Sequence, residues 1–217
     1  CLKIGEQGGL ILNKRIRKKD MLISPVYFAE NLDTLSDLTA RTGAKNMSRI
    51  LKLVETAQGW PLSLIIKEKR LGPQELSDDD VEVVKTLATE GFLKPPQIIR
   101  PNKTPENFVF TPIPGSARLS ASNREVYERA MALVSAMRKG ELLPEKIRIR
   151  SPLAILGKLK HNKSIGANTE AFHQYQNLAR LGLGRIEKVS GSYAKFHLID
   201  TTENVRAVDL AYQLIAS

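Results

Sequence analysis

The sequence predicts an α+β protein that is mainly helical, carries small β-hairpins, and consists of two consecutive modules. Several stretches place apolar residues at three- and four-residue steps between capping residues and glycines, which is typical of amphipathic helices. Short runs of β-branched and aromatic residues around turn formers favour hairpins. The pattern L-x-x-x-G occurs at residues 87–91 and 178–182, each time before a predicted hairpin. The two copies lie 91 residues apart, about the length of one small domain.

The composition is that of a globular protein with a polyanionic partner. The chain has 217 residues, of which 42% are hydrophobic and 26% charged, and its formal charge is +10. Nucleic acid and an anionic membrane surface both fit this charge. The longest apolar runs, such as residues 62–66, are too short to cross a bilayer, and no signal segment opens the chain. We therefore expect no membrane partner and a cytoplasmic or nucleoid-associated location.

The single cysteine of the chain is Cys1. A disulfide within the chain and a zinc site built from cysteines are thereby excluded, which fits a reducing compartment. A chain that begins at cysteine is typical of a cut or engineered sequence and could be part of a longer protein. A lipidated amino-terminal cysteine is the alternative, but basic residues rather than a neutral tether follow it.

Composition divides the chain into three segments. Residues 1–23 form a basic arm or hairpin, whose cations are Lys14, Arg15, Arg17, Lys18 and Lys19. Residues 24–117 form the first module and residues 118–217 the second, because the stretch 112–122 is rich in turn formers. The arm could lie along phosphates or enter a minor groove. A solvated terminus is the alternative.

Residues 34–60 show the most specific pattern of the chain, two short helices across a tight corner. Leu35 and Leu38 give the first helix a narrow apolar stripe, and Gly43 stands where the chain needs a positive φ. The apolar residues of the second helix share an inner face; they are Met47, Ile50, Leu51 and Val54. The opposite face is basic and can form hydrogen bonds; it consists of Lys45, Asn46, Ser48, Arg49 and Lys52.

The segment LSDLTARTGAKNMSRILKLVETA resembles the helix-turn-helix core of winged helix-turn-helix transcription regulators. The resemblance covers about 25 residues and implies binding to double-stranded DNA, with the basic face of the second helix in the reading positions. In the major groove, Arg49 would bridge a guanine and Asn46 an adenine, whereas lysine and serine suit phosphates. The alternative is an ordinary helical hairpin whose charges form a solvated face.

The remainder of the first module resembles the helix-then-wing half of a winged helix. Ser24 and Pro25 predict a supporting helix, and Ser77 caps an acidic helix that Gly91 ends. Strands are expected at residues 97–100 and 108–111. Phosphates would repel the acidic helix, so we expect it to pack behind the reading helix or to meet a partner. Its charged residues also suggest a metal-dependent nuclease, but capping explains them with fewer assumptions; they are Asp79, Asp80, Glu82 and Lys85.

The second module has a similar predicted order. Its expected elements are a helix over residues 123–139 that ends at Gly140, a strand at 145–150, a helix from Ser151, a turn through Gly166, a helix from Asn168 and a hairpin around Gly191. This order also resembles a winged helix. The helix after Asn168 should turn inward Phe172, Tyr175, Leu178 and Ala179. Its outer face and the flanks of the hairpin supply further predicted DNA contacts: His173, Gln174, Asn177, Arg180, Lys188 and Lys195.

Between residues 146 and 163 every charged residue is basic. These residues are Lys146, Arg148, Arg150, Lys158, Lys160 and Lys163. In a winged-helix arrangement the patch precedes the reading helix, so Lys158, Lys160 and Lys163 are predicted phosphate contacts. A lysine-rich solvated face is the alternative. The closing helix, residues 203–215, could complete the core or pair with a second copy; its predicted inner face is Val205, Val208, Tyr212 and Ile215.

The sequence lacks the motifs of catalysis and of cofactor binding. His161, His173 and His197 do not have the spacing of a zinc site, and neither a phosphate-binding loop nor a nucleophile elbow occurs. His173 could be a donor that faces the groove or an ordinary surface residue. We therefore expect no enzyme activity, no cofactor and no metal.

Together these patterns predict an α+β protein of two tandem winged-helix-like modules, mainly helical with small β-hairpin wings, that binds double-stranded DNA. It would act as a transcription regulator or as the DNA-recognition part of a larger DNA-processing protein. The alternatives are a replication initiator with tandem winged helices and a winged-helix scaffold that mediates contacts between proteins. A homodimer or a larger complex is compatible with each of these functions.

Overall fold

A computed structural model describes residues 12–16, 19–23, 32–93, 97–99, 105–111 and 121–216. These residues form an α+β fold that is mostly helical with small antiparallel sheets, which confirms the predicted class. In chain order the elements are β1 (Leu12–Ile16), β2 (Lys19–Ile23), α1 (Leu32–Thr42), α2 (Ala44–Thr56), β3 (Trp60–Pro61), α3 (Leu62–Glu68), β4 (Arg70–Leu71), β5 (Gln74–Glu75), α4 (Asp78–Thr89), β6 (Gln97–Ile99), β7 (Pro105–Val109), α5 (Ala121–Glu141), α6 (Pro152–Asn162), β8 (Ser164–Asn168), α7 (Ala171–Arg180), β9 (Gly184–Ser190), β10 (Tyr193–Leu198) and α8 (Thr202–Ala216).

The corner between α1 and α2 forms where the sequence predicts it. Gly43 is the single residue between the two helices and has a φ of 83°, which a residue with a side chain rarely adopts. The inner face of α2 is also confirmed, because Met47, Ile50 and Val54 are buried and Leu51 packs against the same core. The hairpin of β1 and β2 pairs Leu12 with Ile23. The predicted helix from Ser24 lies outside the described residues.

The first half of the chain, up to residue 111, contains a three-stranded antiparallel sheet with the order β3-β7-β6; the second half comprises residues 121–216. Residues 62–66, which the sequence left open between helix and strand, form α3. Strand β7 begins earlier than predicted, at Pro105 rather than at residue 108. Proline is tolerated at the first residue of a strand, where its missing N–H removes no ladder bond. Opposite Pro105 stands Ile99, and β3 pairs only further along, with Phe108 and Val109.

The two L-x-x-x-G patterns close their helices in the same way. Gly91 and Gly182 have φ values of 76° and 71°, and each follows a helix that ends one or two residues before it. The next N–H donates to the leucine carbonyl five residues back, from Phe92 at 2.9 Å and from Leu183 at 3.0 Å. This is the Schellman closure, in which the residue after glycine turns back onto the helix. Phe92 and Leu183 are buried, so the repeated pattern is a repeated structure.

The expected helix end at Gly140 is wrong, because α5 continues to Glu141. A Cβ at Gly140 would overlap Gln174 Nε2 and Ile149 Cδ1, so this glycine permits close packing rather than a turn. The predicted strand at residues 145–150 is a turn instead. Ile147 N–H donates to Pro144 O at 2.9 Å, and Ile149 N–H donates to Gly140 O at 2.9 Å. These bonds hold the segment against the end of α5 rather than in a sheet.

The second sheet has the order β8-β10-β9. The predicted turn through Gly166 is wrong, since this residue lies within β8, and α7 begins at Ala171 rather than at Asn168. The predicted start of α6 is confirmed, because the Ser151 hydroxyl accepts the Ala154 N–H at 3.3 Å. The hairpin tip at Gly191, with a φ of 52°, is also confirmed.

The inner face of α8 is displaced by about one position from the predicted face, and the two share only Val208. Its buried residues are Asn204, Ala207, Val208, Ala211 and Leu214, and Tyr212 is exposed. The alanines let α8 lie close to α5 and α6. The side-chain nitrogen of buried Asn204 donates to the carbonyls of Gly182, Leu183 and Ile199 at 2.9–3.4 Å, whereas its Oδ1 has no hydrogen-bond partner among the described residues. A polar residue in the core therefore ties α8 to the end of α7.

The two halves meet along β7. Phe108 and Phe110 belong to the core of the second half, whereas Val109 between them belongs to the core of the first. Gly59 lies so close to the second half that an added Cβ would overlap Val134 Cγ1 and approach Phe110 Cζ to 2.9 Å. The Arg138 guanidinium also stacks over the Trp60 ring at 4.8 Å. The predicted module boundary at 112–122 falls mostly outside the described residues.

Within the described ranges, no helix combines the length and the apolar character that a bilayer crossing requires.

Candidate nucleic-acid interface

The outer face of α2 carries the first group of predicted DNA contacts. Lys45, Ser48 and Lys52 are exposed and follow each other at three- and four-residue steps, so they form one stripe along the helix. Among the described residues, no side chain caps the start of α2 at Gly43.

Asn46 and Arg49 take part in contacts within the protein instead. Arg49 Nε and Nη2 donate to Asn46 Oδ1 at 3.1 and 2.8 Å. Arg49 Nη2 also pairs with Asp80 Oδ1 on α4. Asp80 is nearly buried and caps α4, because its carboxylate accepts the Ser77 N–H at 3.2 Å while the Ser77 hydroxyl accepts the Asp80 N–H. The guanidinium thus joins the two helices, although the side chain is 46% exposed.

The carboxyl of Asp80 is ionised in this network. Its burial raises the pKa, but the hydrogen bonds from Arg49 and from Ser77 outweigh burial, so the pKa lies below its ordinary value of 3.8. A charged acceptor holds Arg49 more firmly than a neutral one would. Arg49 would have to leave this partner before it could bridge a guanine.

An acidic groove lies beside the same corner. It has a volume of about 420 Å³ and is lined on one side by Arg41, Thr42 and Asn46 and on the other by Asp79 and Glu82 of α4. The carboxylates of Asp79 and Glu82 would repel a phosphate backbone that approached the α4 side of the corner. The face with Lys45, Ser48 and Lys52 is therefore the part of α2 that can approach a nucleic acid.

The outer face of α7 contains only part of the second predicted group. His173, Asn177 and Arg180 are exposed as expected. Gln174 is not, because it is 8% exposed and its amide donates to Ala136 O of α5 at 3.3 Å. The predicted inward position of Phe172 is also wrong, since the ring is 46% exposed. Gln174 is therefore removed from the set of contacts.

The predicted lysines differ in whether a carboxylate neutralises them. Lys160 Nζ pairs with Asp209 at 2.8 Å, and Lys163 Nζ pairs with Asp200 at 2.9 Å. Lys158 is exposed and forms no ion pair in the described part of the chain. On the hairpin, Lys188 is exposed and Lys195 partly so. Lys158 is therefore the member of the lysine patch whose charge is most available to a phosphate.

A basic cleft of about 610 Å³ opens between α6, β8 and the turn at residues 145–150. Four cations line it, Lys146, Arg148, Arg150 and Lys158, against the single acid Glu170. Lys146 and Arg150 are exposed and, like Lys158, have no ion pair with the described residues. The sequence places these cations in one charged stretch, but the turn that replaces the expected strand is what gathers them around a concave surface.

The cleft also contains two exposed apolar residues that the site prediction omitted. Ile147 and Tyr193 line it and are 40% and 52% exposed. Tyr193 comes from β10, more than thirty residues beyond the other lining residues of the charged stretch. The sequence indicates an aromatic residue next to the tip of a predicted hairpin. Alternation along the strand, however, could not predict which aromatic ring stays exposed to solvent.

The described residues contain no group of three or more histidine, cysteine or acidic side chains that could hold a metal ion. Asp79, Asp80 and Glu82 are therefore not gathered as a metal site. Comparisons of the chain with protein-family models, with curated proteins and with solved structures find no match. A functional assignment therefore depends on the geometry and charge of the residues themselves.

Proposed function

We propose that the chain binds double-stranded DNA through two tandem winged-helix-like modules. The order of elements supports this proposal. In the first half, α2, β3, α3 and α4 precede the hairpin of β6 and β7, and in the second half α6, β8 and α7 precede the hairpin of β9 and β10. Each of the two three-stranded sheets places its last strand, β7 or β10, between the other two. Helices followed by such a hairpin wing are the arrangement that the helix-turn-helix resemblance implies.

The observation that carries the proposal is the basic cleft of the second half. Lys146, Arg150 and Lys158 present three cations at one surface, and none of them pairs with a carboxylate of the described residues. Holding like charges together is unfavourable unless an anion neutralises them. A phosphate backbone supplies evenly spaced charges along such a surface and releases its own counterions on binding. We infer that these residues contact phosphates, as do the exposed lysines of α2.

The residues that remain available for base contacts are few. On α2 the outer stripe offers Lys45, Ser48 and Lys52, and on α7 it offers His173, Asn177 and Arg180. Arg49 and Asn46 keep a role in positioning α2 against α4. The acidic helix α4 faces away from DNA in this proposal, where it could hold a protein partner. Regulation of transcription, or recognition within a larger DNA-processing protein, would use the same surfaces.

Salt dependence of duplex binding tests the proposal. Fluorescence anisotropy with a labelled random-pool duplex should show an affinity that falls steeply between about 50 and 200 mM salt. Replacing Lys146, Arg150 and Lys158 together by alanine should weaken binding to all sequences alike. It should also reduce the slope of log K against log salt by about 0.9 for each lost phosphate contact.

Two control variants make the test specific. Lys85→Ala removes one charge from α4, on the face that the proposal directs away from DNA, and should leave affinity unchanged. Lys160→Ala removes a charge that Asp209 already neutralises and should weaken binding less than Lys158→Ala. If duplex binding is absent, or if it hardly responds to salt, the proposal fails in favour of a scaffold that binds proteins.

A further inference from the structure

We propose that the basic cleft holds one unpaired strand of DNA beside a duplex, with Tyr193 as the platform on which a base stacks. This inference rests on the proposed DNA binding: the cations of the cleft contact phosphates of the duplex and of the strand that continues from it, and the cleft itself takes that unpaired strand. It adds a preference for junctions between paired and unpaired DNA. Four features of the cleft carry the inference: its shape, its charge, its apolar floor and its exposed tyrosine.

The shape of the cleft suits a single strand better than a duplex. Proteins read a duplex by inserting a convex element, a helix or a ribbon, into a major groove about 12 Å wide. This surface is concave, because the turn at residues 145–150, α6 and strand β8 together enclose a cleft of about 610 Å³. Gly166 and Ala167 form part of one wall and are exposed. A Cβ built at Gly166 meets nothing within 4 Å, so there is open space next to this wall.

The positive charges of the cleft come from two of its elements, and its one acid comes from a third. Lys146 and Arg150 come from the turn and Lys158 from α6, whereas Glu170 stands at the start of α7. Glu170 is held there by bonds within its own segment, because its N–H donates to Asn168 Oδ1 at 3.0 Å. Phosphates would therefore follow the side with the turn and α6, away from Glu170. Bases on the same strand would then point across the cleft.

The floor of the cleft is apolar. Ile155 and Ile165 line it together with Tyr175, and Tyr175 is fully buried with its ring centroid 5.4 Å from that of Phe196. The unpaired bases of a single strand present flat apolar faces that such a floor can cover, whereas the bases of a duplex are already stacked on each other.

Tyr193 is the feature that most specifically suggests a base. Its ring lines the cleft and is 52% exposed, although its position at the end of a hairpin would allow a polar residue. An exposed aromatic ring in a groove lined by exposed cations is the combination that proteins use to bind single strands, because stacking on the ring tolerates any base. Exposed Ile147 extends the same apolar surface.

The test compares three labelled probes by fluorescence anisotropy: a blunt duplex, the same duplex with a single-stranded tail, and the tail strand alone. The tailed duplex should bind more tightly than the blunt duplex. Tyr193→Ala should weaken tailed-duplex binding about 5- to 150-fold, the range for losing one stacked base, and should leave blunt-duplex binding unchanged. Tyr193→Phe keeps the ring and should retain the preference for the tail.

Two further variants separate the cleft from general effects. Tyr212→Ala removes another exposed tyrosine, on α8 and outside the cleft, and should have no effect on any probe. Gly166→Val adds a side chain to this wall of the cleft, and its Cβ meets no neighbour within 4 Å. Valine suits a strand, so the variant should fold and should weaken the preference for the tail.

The outcomes distinguish this inference from the proposed function. If the blunt and tailed duplexes bind equally well, and Tyr193→Ala changes neither, the cleft does not hold a single strand although the protein still binds duplex DNA. If no probe binds, the proposed function fails as well. If the tail strand binds alone and the blunt duplex does not, the single-strand inference is supported while duplex binding is refuted.

Discussion

Replacing Asp80 should separate the structural from the functional role of the α1–α2 corner. Asp80 accepts hydrogen bonds from Arg49 of α2 and from the Ser77 N–H at the start of α4. A hydrogen bond to a charged group contributes about 1.5–3 kcal/mol and a neutral one about 0.5–1.5 kcal/mol. Arg49 is half exposed, and water can replace its partner, so the lower part of the first range applies. We expect Asp80→Ala to lower the free energy of unfolding by about 2–3 kcal/mol.

Urea denaturation followed by circular dichroism measures this change. A double-mutant cycle with Asp80→Asn and Arg49→Met should give a coupling energy of about 1 kcal/mol. A coupling energy near zero would refute the reasoning, since the ion pair would then contribute nothing to stability. If Arg49 is structural, Arg49→Ala should lower stability while duplex affinity, measured where the variant is folded, stays within about twofold. A loss of affinity for one DNA sequence alone would instead return Arg49 to the reading residues.

The pH dependence of stability tests whether Asp80 stabilises the folded state through its ionised carboxylate. The pKa of Asp80 is lower in the folded state than its ordinary value of 3.8. The ionised carboxylate therefore contributes its full stabilisation above about pH 3.8, and this contribution disappears as the pH falls through the lowered folded pKa. The difference in unfolding free energy between the wild type and Asp80→Asn should be constant near neutral pH and should shrink in acid. A difference that grows in acid would contradict the assigned direction.

Two further predictions concern packing. Gly59→Ala should lower the free energy of unfolding by about 2–4 kcal/mol, because it adds overlap with Val134 to the strain of a φ of 71°. Gly91→Ala, with a similar φ and open space around its Cβ, should lower it by only about 1–2 kcal/mol. Equal losses for the two variants in urea denaturation would argue against the overlap. Asn204→Ala should lower stability by about 1–3 kcal/mol, because it leaves buried carbonyls at the end of α7 without their donor, and faster hydrogen exchange in α7 would locate the effect.

Local patterns predicted the features that depend on residues close in sequence. The Gly43 corner, the inner face of α2, the Ser77 cap and the Gly191 hairpin each follow from a few neighbouring residues whose conformational preferences agree. The closure at Gly91 and Gly182 is of the same kind. These signals fix helix ends and turns, which explains why the mostly helical α+β class could be predicted from the sequence.

Features that depend on distant neighbours could not be predicted in this way. Gln174 lies inside because α5 passes close by at Gly140, where the Gln174 amide finds an acceptor in the Ala136 carbonyl. Periodicity alone assigned the polar Gln174 to the surface and the apolar Phe172 to the core. Likewise the partner of Arg49 is 31 residues away in the sequence, and helical spacing within α2 contains no information about it.

The candidate site was predicted in charge but not in form. The uninterrupted run of cations between residues 146 and 163 is visible in the sequence. The acidic character of α4, which makes it unsuitable for contacts with phosphates, is visible there too. The cleft itself depends on the replacement of an expected strand by a turn and on a tyrosine from a separate hairpin. Neutralisation of Lys160 and Lys163 by Asp209 and Asp200 also required the fold, since both acids lie in the last part of the chain.

The shared strand β7 has a consequence for any attempt to divide this protein. A fragment that stops at residue 111 would display Phe108 and Phe110 to water, and a fragment that starts at residue 121 would lack the two rings that fill its interior. Both pieces would be prone to aggregate. Expression of each half alone therefore calls for polar substitutions at 108 and 110 in the first piece, and for a grafted β7 segment in the second.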